Sequence, residues 1–247
     1  MSTATRTPPS ARSATPLAST AGLKGIKLLE GLPLPALEAI ASRCRWRRYS
    51  HGQQIISREA PDNDVFFVIA GRVRATAFSA AGRQVTYGDM QAGDWFGDFA
   101  AIDGLSRSAD IVAIDETLVA SMDPAAFRRL VHDEPAVCDR MLRRLVACVR
   151  ELTERVFAFS TLGVQNRVHA ELLRLARQSG VKGNTACIDP APKHSDIAGQ
   201  ISTYREQVTR ELSAMAKQGL VKRAGHALVI PDVARLERLV SEVRLSA

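Results

Sequence analysis

A heptad pattern in the middle of the chain constrains the fold more than any other feature. Pro135 can begin a helix, because its missing N–H costs nothing at the first helical position, and no Gly or Pro follows up to Leu162. Within this run, apolar residues recur at alternating steps of four and three: Cys138, Leu142, Leu145, Val149, Leu152, Val156 and Phe159. A repeat of about 3.5 residues is typical of helices that pair as a coiled coil. The pattern predicts a dimerisation helix over 135–162, and the alternative is a helix that packs only on its own domain.

The segment before this helix has the texture of a β domain. A short helical pattern lies within Leu23–Arg43, and short runs rich in Val, Ile, Phe and Thr follow it. Turn residues separate the runs, which are Gln54–Ser57, Asp64–Ile69, Arg72–Phe78, Arg83–Tyr87, Ile111–Ala113 and Thr117–Ser121. Many short strands at this spacing predict an antiparallel barrel or sandwich.

The segment after the long helix contains two short amphipathic helices in tandem. Their apolar faces consist of Ile197, Ala198 and Ile201 in the first helix and of Val208, Leu212 and Met215 in the second. Ser202 and Thr203 between them offer side-chain oxygens that can cap a new helix. The spacing predicts a helix-turn-helix. A polar loop is expected over 180–192 and a short hairpin over Leu220–Ile230, with its turn at Ala224 and Gly225.

The charge distribution agrees with a nucleic-acid partner. The formal net charge is +7, and from Thr161 onward we count 13 Lys and Arg against 8 Asp and Glu. An excess of positive charge in the last third of a chain favours a polyanion, for which DNA is the usual candidate.

The second helix of the motif carries side chains that can read base pairs. If it lies in the major groove, its first turns present Tyr204, Arg205, Glu206, Thr209 and Arg210 to the base edges. Arginine can donate two hydrogen bonds to guanine, and a carboxylate can accept one from cytosine. Glu206 has an alternative role, because it follows Thr203 at the spacing of a capping box.

Basic residues around the motif are candidates for phosphate contacts, which add affinity without sequence choice. They are Lys193, His194, Lys222 and Arg223. A solvated side chain is the alternative for each of them.

Several classes of protein are disfavoured by the sequence. The five histidines show no HExxH motif and no pairing with a nucleophile motif, and no P-loop is present, so we expect no enzymatic activity. The four cysteines are too scattered for a metal site. Residues 1–22 are interpreted as a disordered tail without a secretion signal, and no membrane span is evident. A cytoplasmic protein is therefore expected.

The motif residues resemble those of the bacterial Crp/Fnr regulators, the cyclic-AMP receptor protein family. In that family an Arg-Glu pair and a second Arg five residues after the first contact the operator, and they match Arg205, Glu206 and Arg210. The resemblance covers about Leu23 to Val240 in the same domain order. It implies a winged helix-turn-helix, a homodimer and contact with RNA polymerase.

The β-rich segment resembles the cyclic-nucleotide-binding jelly roll of the same family. The family's phosphate cassette has Phe-Gly-Glu followed by Arg-Ser-Ala, and this chain has Gly97 and Asp98 after a Phe, then Arg107, Ser108 and Ala109 at the matching distance. The resemblance implies that Arg107 and Ser108 bind a phosphodiester and that Asp98 accepts a hydrogen bond from the ribose.

Two points leave the ligand of this cassette open. Asp98 is one methylene shorter than the family's Glu, which makes a cyclic dinucleotide, another effector or no effector alternatives to cyclic AMP. As a purely structural residue, Arg107 could instead pair with Asp103 or Asp110. On the long helix, Thr153 or Cys148 matches the position that touches the base in relatives.

The sequence as a whole predicts an α+β chain with four parts. These are a tail over 1–22, a β jelly-roll sensor domain over 23–134, a dimerisation helix over 135–162 and a winged helix-turn-helix over 163–247. The expected function is a homodimeric, sequence-specific transcription regulator controlled by a cyclic nucleotide, or else a ligand-independent DNA-binding regulator.

Overall fold

A computed structural model describes residues 20–79 and 84–246 of the chain. Residues 1–19 of the expected tail therefore lie outside the described residues. Thr20 to Gly22, which we had placed in that tail, belong instead to a short helix, Thr20–Lys24. The helix is anchored by Leu23, whose side chain is fully buried.

The helices and strands of the described residues have the following bounds. The helices are α1 Thr20–Lys24, α2 Leu34–Arg43, α3 Asp98–Asp103, α4 Pro124–Asp133, α5 Pro135–Thr161, α6 Val164–Ser179, α7 His194–Gln200, α8 Arg205–Lys217 and α9 Val233–Ser246, with a 3-10 turn at Lys27–Leu29. The strands are β1 Arg45–Tyr49, β2 Gln54–Ile56, β3 Val65–Ala70, β4 Arg72–Phe78, β5 Gln84–Gln91, β6 Trp95–Phe96, β7 Asp110–Ala113, β8 Thr117–Met122, β9 Val181–Lys182, β10 Thr185–Ile188, β11 Lys222–Ala224 and β12 Ala227–Ile230.

The chain forms two compact units. Of the described residues, the first unit contains 20–74 and 89–140, and the second contains 75–79, 84–88 and 141–246. The end of β4 and the first part of β5 thus belong to the second unit. None of the described helices is long and apolar enough to cross a membrane.

The first unit is built on β strands. One four-stranded sheet has the order β1-β8-β3-β6, with antiparallel pairing throughout, and a second sheet has the order β2-β7-β4-β5. In the first sheet, Val65 lies opposite Met122 and Phe67 lies opposite Ala120. Phe67 is fully buried, and the burial of one such side chain is worth about 1.5–3 kcal/mol. The predicted N-terminal antiparallel β domain is confirmed.

The sequence did not predict β1 or β6. Strand β1 carries three arginines among its five residues, and only its last residue, Tyr49, is buried. A strand at the edge of a sheet keeps one face and one edge in solvent, so it lacks the apolar pattern by which strands are recognised. Strand β6 has two residues, too few for any period.

The long helix is close to its prediction. Helix α5 contains 27 residues, from Pro135 to Thr161, which corresponds to about 40 Å of helix at the usual rise. Gly163, the N-cap of α6, ends the run that the heptad pattern indicated.

The second unit has its own hydrophobic core, formed by both helices of the predicted motif with α6, α9 and a small sheet. The sheet has the order β11-β12-β10-β9. Fully or nearly fully buried members of the core include Val168, Leu172, Ile197, Val208, Met215, Ile230 and Leu236. The apolar faces that the sequence assigned to the two motif helices are the faces that point into this core.

The expected polar loop over 180–192 is wrong. Strands β9 and β10 form a hairpin there, and Ala186 of β10 pairs with Ile230 of the wing. The turn consists of Gly183 and Asn184, which have φ values of 53° and 63°. Gly and Asn accept such angles at little cost and form the tight turns that join antiparallel strands. This Gly-Asn pair between Val181 and Thr185 was the signal that could have revealed the hairpin.

Arg155 of α5 is half-buried and forms hydrogen bonds to other segments of the second unit. Its guanidinium donates to the backbone oxygens of Tyr87 and Thr86 at 2.9 Å and of Gln200 at 3.1 Å. The helical period identifies an apolar face but does not show where a long arginine side chain folds back. Arg155 thereby joins β5 and the end of α7 to α5.

His169 of α6 lies in the core of the second unit. Its side chain is buried, and its Nε2 has no hydrogen-bond partner within the described ranges. Burial lowers the pKa of this imidazole, and the negative charge of Glu211 only partly offsets the effect. The folded protein therefore holds His169 in its neutral form.

The neutral state of His169 predicts a loss of stability in mild acid. The unfolded chain takes up a proton at about pH 6.5 and the folded chain only at a lower pH, so the free energy of unfolding falls by up to about 1.4 kcal/mol per pH unit between those two values. Urea unfolding at about pH 7.5 and about pH 5.5, followed by circular dichroism, measures this change. H169Q should lose less stability than the wild type on acidification. An equal loss in both proteins would assign the effect to another group.

Candidate functional sites

The helix-turn-helix is formed by α7, a turn over 201–204 and α8. Ser202 in the turn has a φ of 52°, and the Thr203 backbone N–H donates to the Ala198 oxygen at 2.9 Å. Ile201 before the turn and Val208 after it are buried, which fixes the two helices against each other. The predicted motif is therefore present.

The expected capping of α8 by Ser202 or Thr203 is wrong. The N-cap is Tyr204, whose backbone oxygen accepts from Gln207 and Val208, and no side chain caps the helix. The buried Thr203 hydroxyl donates to the side-chain oxygen of Gln207 instead. The alternative role of Glu206 in a capping box is therefore wrong as well, because Glu206 is two residues and not three after the N-cap Tyr204.

The side chains proposed to read base pairs are exposed on the first turns of α8. Tyr204, Arg205, Glu206, Thr209 and Arg210 all lie at the surface, and Tyr204 is 62% exposed. Within residues 20–79 and 84–246, no hydrogen bond or ion pair engages the side chain of Arg205, Glu206 or Arg210. Their hydrogen-bonding capacity is available to an outside partner.

Thr209 differs from its neighbours because its hydroxyl is already engaged. It donates to the Arg205 oxygen at 2.9 Å, so it must accept the hydrogen of His194 Nδ1, which lies 2.7 Å away. Only the methyl group of Thr209 is left for a contact such as the one with a thymine methyl.

The pKa of His194 indicates that the surface formed by α7, α8 and β11 is positively charged. Its pKa is lowered by desolvation first, and then by the positive charges of Arg223 and Arg205. Lys193 and Lys222 are exposed beside these residues in the chain. The structure therefore groups the basic residues of three separate segments around the start of α8.

The residues of the predicted ligand cassette are also close together, in the first unit. Gly97 joins β6 to α3 with a φ of 86°, and a Cβ there would lie 2.6 Å from the Asp64 oxygen and 2.8 Å from Arg107 Nη1. Only glycine fits this position. Asp98 begins α3 and is buried, whereas Ser108 is exposed and Ala109 is half-buried.

Arg107 is the centre of the cassette, and it is almost fully buried. Its Nη2 donates to Asp62 Oδ1 and to the Asp64 oxygen, both at 2.9 Å, and its Nη1 donates to the Gly97 oxygen at 3.1 Å. The structural pairing with Asp103 or Asp110 that the sequence suggested is therefore wrong. Asp110 instead accepts from Gln54 and from the backbone of Arg58.

The sequence offered no signal for the role of Asp62. It lies 45 residues from Arg107, in a polar turn whose composition indicates only a loop. The Nε of Arg107 is buried and has no hydrogen-bond partner in the described part of the chain. A buried arginine N–H without a partner can donate to an anionic group. The chemistry of the cassette therefore fits a phosphodiester.

Thr153, the expected base contact, is not among the residues grouped around Arg107. It lies on α5 in the second unit, is exposed, and donates to the Val149 oxygen at 2.9 Å. Cys148 is half-buried on the same helix. Within the described ranges, no cluster of His, Cys, Asp or Glu side chains could hold a metal ion.

The predicted dimer seam is an uncovered apolar stripe in the single chain. Leu142, Val149, Leu152, Val156 and Phe159 are between 40 and 63% exposed, and Leu145 is half-buried. Val146 and Phe157 beside them are exposed as well. We call Leu142, Leu145, Val149, Leu152, Val156 and Phe159 the α5 stripe. Large contiguous apolar patches of this kind mark surfaces that are covered by a partner.

Both halves of the chain match known families. Residues 46–134 match the cyclic nucleotide-binding domain, and residues 166–239 match the Crp-like helix-turn-helix domain. The chain is 24% identical over 212 residues to a CRP-like cAMP-activated global transcriptional regulator of Mycobacterium tuberculosis, a match that covers 85% of this chain and 95% of that protein. It is 27% identical over 217 residues to the cyclic AMP receptor protein of Thermus thermophilus, with 88% and 98% covered.

A solved structure shares the fold. The c-di-GMP responsive global regulator CLP of Xanthomonas campestris superposes with a TM-score of 0.71 at 17% identity, over 81% of this chain and 99% of that one. The long helix, the β domain and the helix-turn-helix thus occur together in a related architecture. The chain belongs to the Crp/Fnr family, and it is a DNA-binding transcription regulator with a cyclic nucleotide-binding domain rather than an enzyme.

Proposed function

We propose that the protein is a homodimeric, sequence-specific regulator whose affinity for DNA is controlled by a cyclic nucleotide. The observation that carries the DNA half of the proposal is the start of α8. Arg205, Glu206 and Arg210 are exposed there, their side chains form no hydrogen bond or ion pair with the described residues, and basic residues surround them. Charged groups left unpaired on a helix end are what a base-reading helix needs.

The proposed reading of base pairs divides among these side chains. Arg205 and Arg210 donate to guanine O6 and N7, and Glu206 accepts from the amino group of cytosine. Tyr204 and the methyl group of Thr209 supply apolar contacts at the base edges. The operator should therefore contain G·C pairs at fixed positions in each half-site.

The basic residues around α8 are proposed to hold the DNA backbone. Lys193, His194, Lys222 and Arg223 lie on the surface that surrounds the start of the helix, and a wing strand carries the last two. Phosphate contacts of this kind set the position of the helix in the groove but are the same for every sequence.

Replacing Lys222 with alanine is expected to weaken binding to all duplexes alike. Loss of one phosphate contact releases about one counterion fewer per protomer, so the slope of log K against log salt becomes shallower by about 1 for each site. Fluorescence anisotropy at several salt concentrations, on operator and on random DNA, measures both slopes. K182A on β9, which also removes an exposed lysine of the same unit, is the matched control. A loss confined to the operator would give Lys222 a base-reading role.

The homodimer is supported by the α5 stripe. Its residues follow the heptad positions at which two helices of a coiled coil contact each other, and they are exposed in the single chain. A two-fold dimer presents two recognition helices about one turn of DNA apart, so it reads two related half-sites. A ligand that binds one dimer geometry better than another then shifts the population with the correct spacing.

The effector is proposed to be a cyclic nucleotide bound in the β domain. Arg107, Ser108 and the backbone near Gly97 are the candidates for phosphate contacts, Asp98 for the ribose and Thr153 for the base. Support comes from the matched cyclic nucleotide-binding domain and from relatives that are named as cAMP-activated. RNA polymerase is a further proposed partner, and the cytoplasm is the proposed location, because a transcription regulator acts where the chromosome lies.

A second candidate is a DNA-binding regulator that needs no ligand or responds to another effector, such as a cyclic dinucleotide. Two observations favour it: Arg107 already has an acidic partner, and Asp98 replaces the longer Glu of the family pattern. The similar fold of a c-di-GMP responsive regulator gives that effector a place in the test.

One experiment separates these candidates. Operators selected from a random duplex library are titrated with the protein alone and with cyclic AMP, cyclic GMP or cyclic di-GMP, while sedimentation measures the oligomer. The proposal predicts a dimer that prefers a two-fold sequence and binds it more tightly with a cyclic mononucleotide. A monomer without sequence preference would refute the DNA half, and an unchanged affinity with all three nucleotides would leave the ligand-independent candidate.

A further inference from the structure

The strongest unexplained contact of the first unit is the one between Asp62 and Arg107. The Arg107 side chain is only 3% exposed, whereas that of Asp62 is 55% exposed, so the carboxylate stands between the buried guanidinium and the solvent. Both hydrogens of Nη2 are used, one by Asp62 and one by the Asp64 oxygen. This guanidinium is the only group of the cassette with a full positive charge.

A carboxylate and a phosphodiester compete for the same donors. Each of them presents two oxygen atoms that share one negative charge, and arginine binds such a pair of oxygens through two parallel N–H groups. With Asp62 in place, the positive charge of Arg107 is neutralised and one Nη2 hydrogen is unavailable. An anionic ligand that uses this hydrogen must therefore displace the Asp62 carboxylate from Arg107.

The rest of the cassette favours an exchange of partners over a permanent ion pair. Arg107 Nη1 donates to the Gly97 oxygen, its Nη2 also donates to the Asp64 oxygen, and its guanidinium carbon lies 5.9 Å from the centroid of the Phe66 ring. These contacts hold the guanidinium in position without Asp62. The Asp62 side chain, by contrast, lies on an exposed turn and can move into solvent without breaking the fold.

We propose that Asp62 is an internal competitor for the effector phosphate and that it sets the affinity of the site for cyclic nucleotides. The ligand's phosphodiester takes the place of the Asp62 carboxylate on Arg107, and Asp62 turns into solvent. This inference rests on the proposed control by a cyclic nucleotide. Competition by Asp62 lowers the affinity of the site for cyclic nucleotides below the value that its phosphate-binding residues alone would give.

The test is the affinity of the full-length protein for cyclic AMP and cyclic GMP, measured by calorimetry in wild type, D62N and D62A. Both substitutions remove the competing charge, so binding should become about 10-fold tighter or more, because hydrogen bonds to charged groups contribute on that scale. Asp62 faces the phosphate and not the base, so the gain should be the same for the two nucleotides. R107Q should abolish binding in either background.

E59Q is the matched control, because it removes one negative charge from an exposed residue of the same turn that does not contact Arg107. Its affinity should equal that of the wild type. A similar gain in E59Q would mean that long-range charge, and not competition, is responsible, and would overturn the proposal. A gain for one nucleotide only would place Asp62 at the base and would also overturn it.

The outcomes distinguish this inference from the proposed function. If the wild type binds and D62N binds equally or more weakly, competition by Asp62 is refuted while nucleotide control stands. If neither protein binds any nucleotide, both are refuted, while operator titration still tests the DNA half on its own. Unfolding by urea without ligand shows whether each variant is folded before its affinity is compared.

Discussion

Replacing Val149 with aspartate is expected to convert the proposed dimer into monomers and to weaken operator binding by about 100-fold or more. Val149 is 62% exposed in the single chain, so the substitution costs the protomer fold little. In a parallel coiled coil the equivalent residues of two protomers face each other, and two buried like charges there cost several kcal/mol, about the scale at which a dimer dissociates. In the proposed mode of binding, a monomer offers one recognition helix where a two-fold operator needs two.

Sedimentation velocity measures the oligomer of V149D, and anisotropy measures its affinity for the selected operator. L34D is the matched control, because Leu34 is a similarly exposed apolar residue, 49% exposed, at the start of α2 and outside the stripe. It should remain dimeric and bind normally. A dimeric V149D with unchanged affinity would remove α5 from the interface and restore the alternative of a helix packed only on its own domain.

Replacing Arg205 with alanine is expected to cost about 1–3 kcal/mol at each half-site and therefore about twice that on a full operator. The reason is that the proposed bidentate contact of Arg205 to guanine is lost, so that its base pair is no longer distinguished. Affinity for random DNA should fall only by the smaller contribution of one surface charge. The measurement is a titration of wild type and R205A on the operator, on operators changed at single base pairs and on random duplex.

K217A is the control for Arg205, because it removes the same charge from the last turn of the same helix, away from its N-terminal end. It should behave as the wild type on all duplexes. If R205A lost affinity equally for operator and random DNA, Arg205 would be a phosphate contact, and the reading of bases would fall to Glu206 and Arg210.

The sequence predicted those parts of the fold that depend on local periodicity. The heptad run gave α5 to within a residue, and the apolar faces of α7 and α8 were identified from the positions of Ile197 and Val208. Such a helix has a periodic pattern of apolar residues in its sequence because each of its turns must bury the same face. Strand β1 was not predicted because it buries only one of its five residues. An exposed edge strand with three arginines has no periodic apolar pattern.

The contacts within the candidate sites could not be predicted, because they join residues far apart in the chain. The pair of Asp62 and Arg107 and the bonds from Arg155 to the hairpin each depend on how two distant segments meet. The prediction of the cap of α8 was also wrong, although the residues concerned are neighbours in the chain. Ser202 and Thr203 both have the chemistry of a cap, but the tight turn draws Thr203 into the interior and leaves Tyr204 at the helix end.

The closeness of α7 to the β4–β5 hairpin has a consequence for how this chain can diverge. A Cβ on Gly199 would lie 2.8 Å from the hydroxyl oxygen of Thr86, which is buried, so neither position can grow alone. A larger residue at 199 requires a smaller one at 86, and such exchanges must arise together or in a fixed order. Evolution of the DNA-binding motif is therefore tied, at this one point, to the hairpin of a segment that lies more than a hundred residues earlier in the gene.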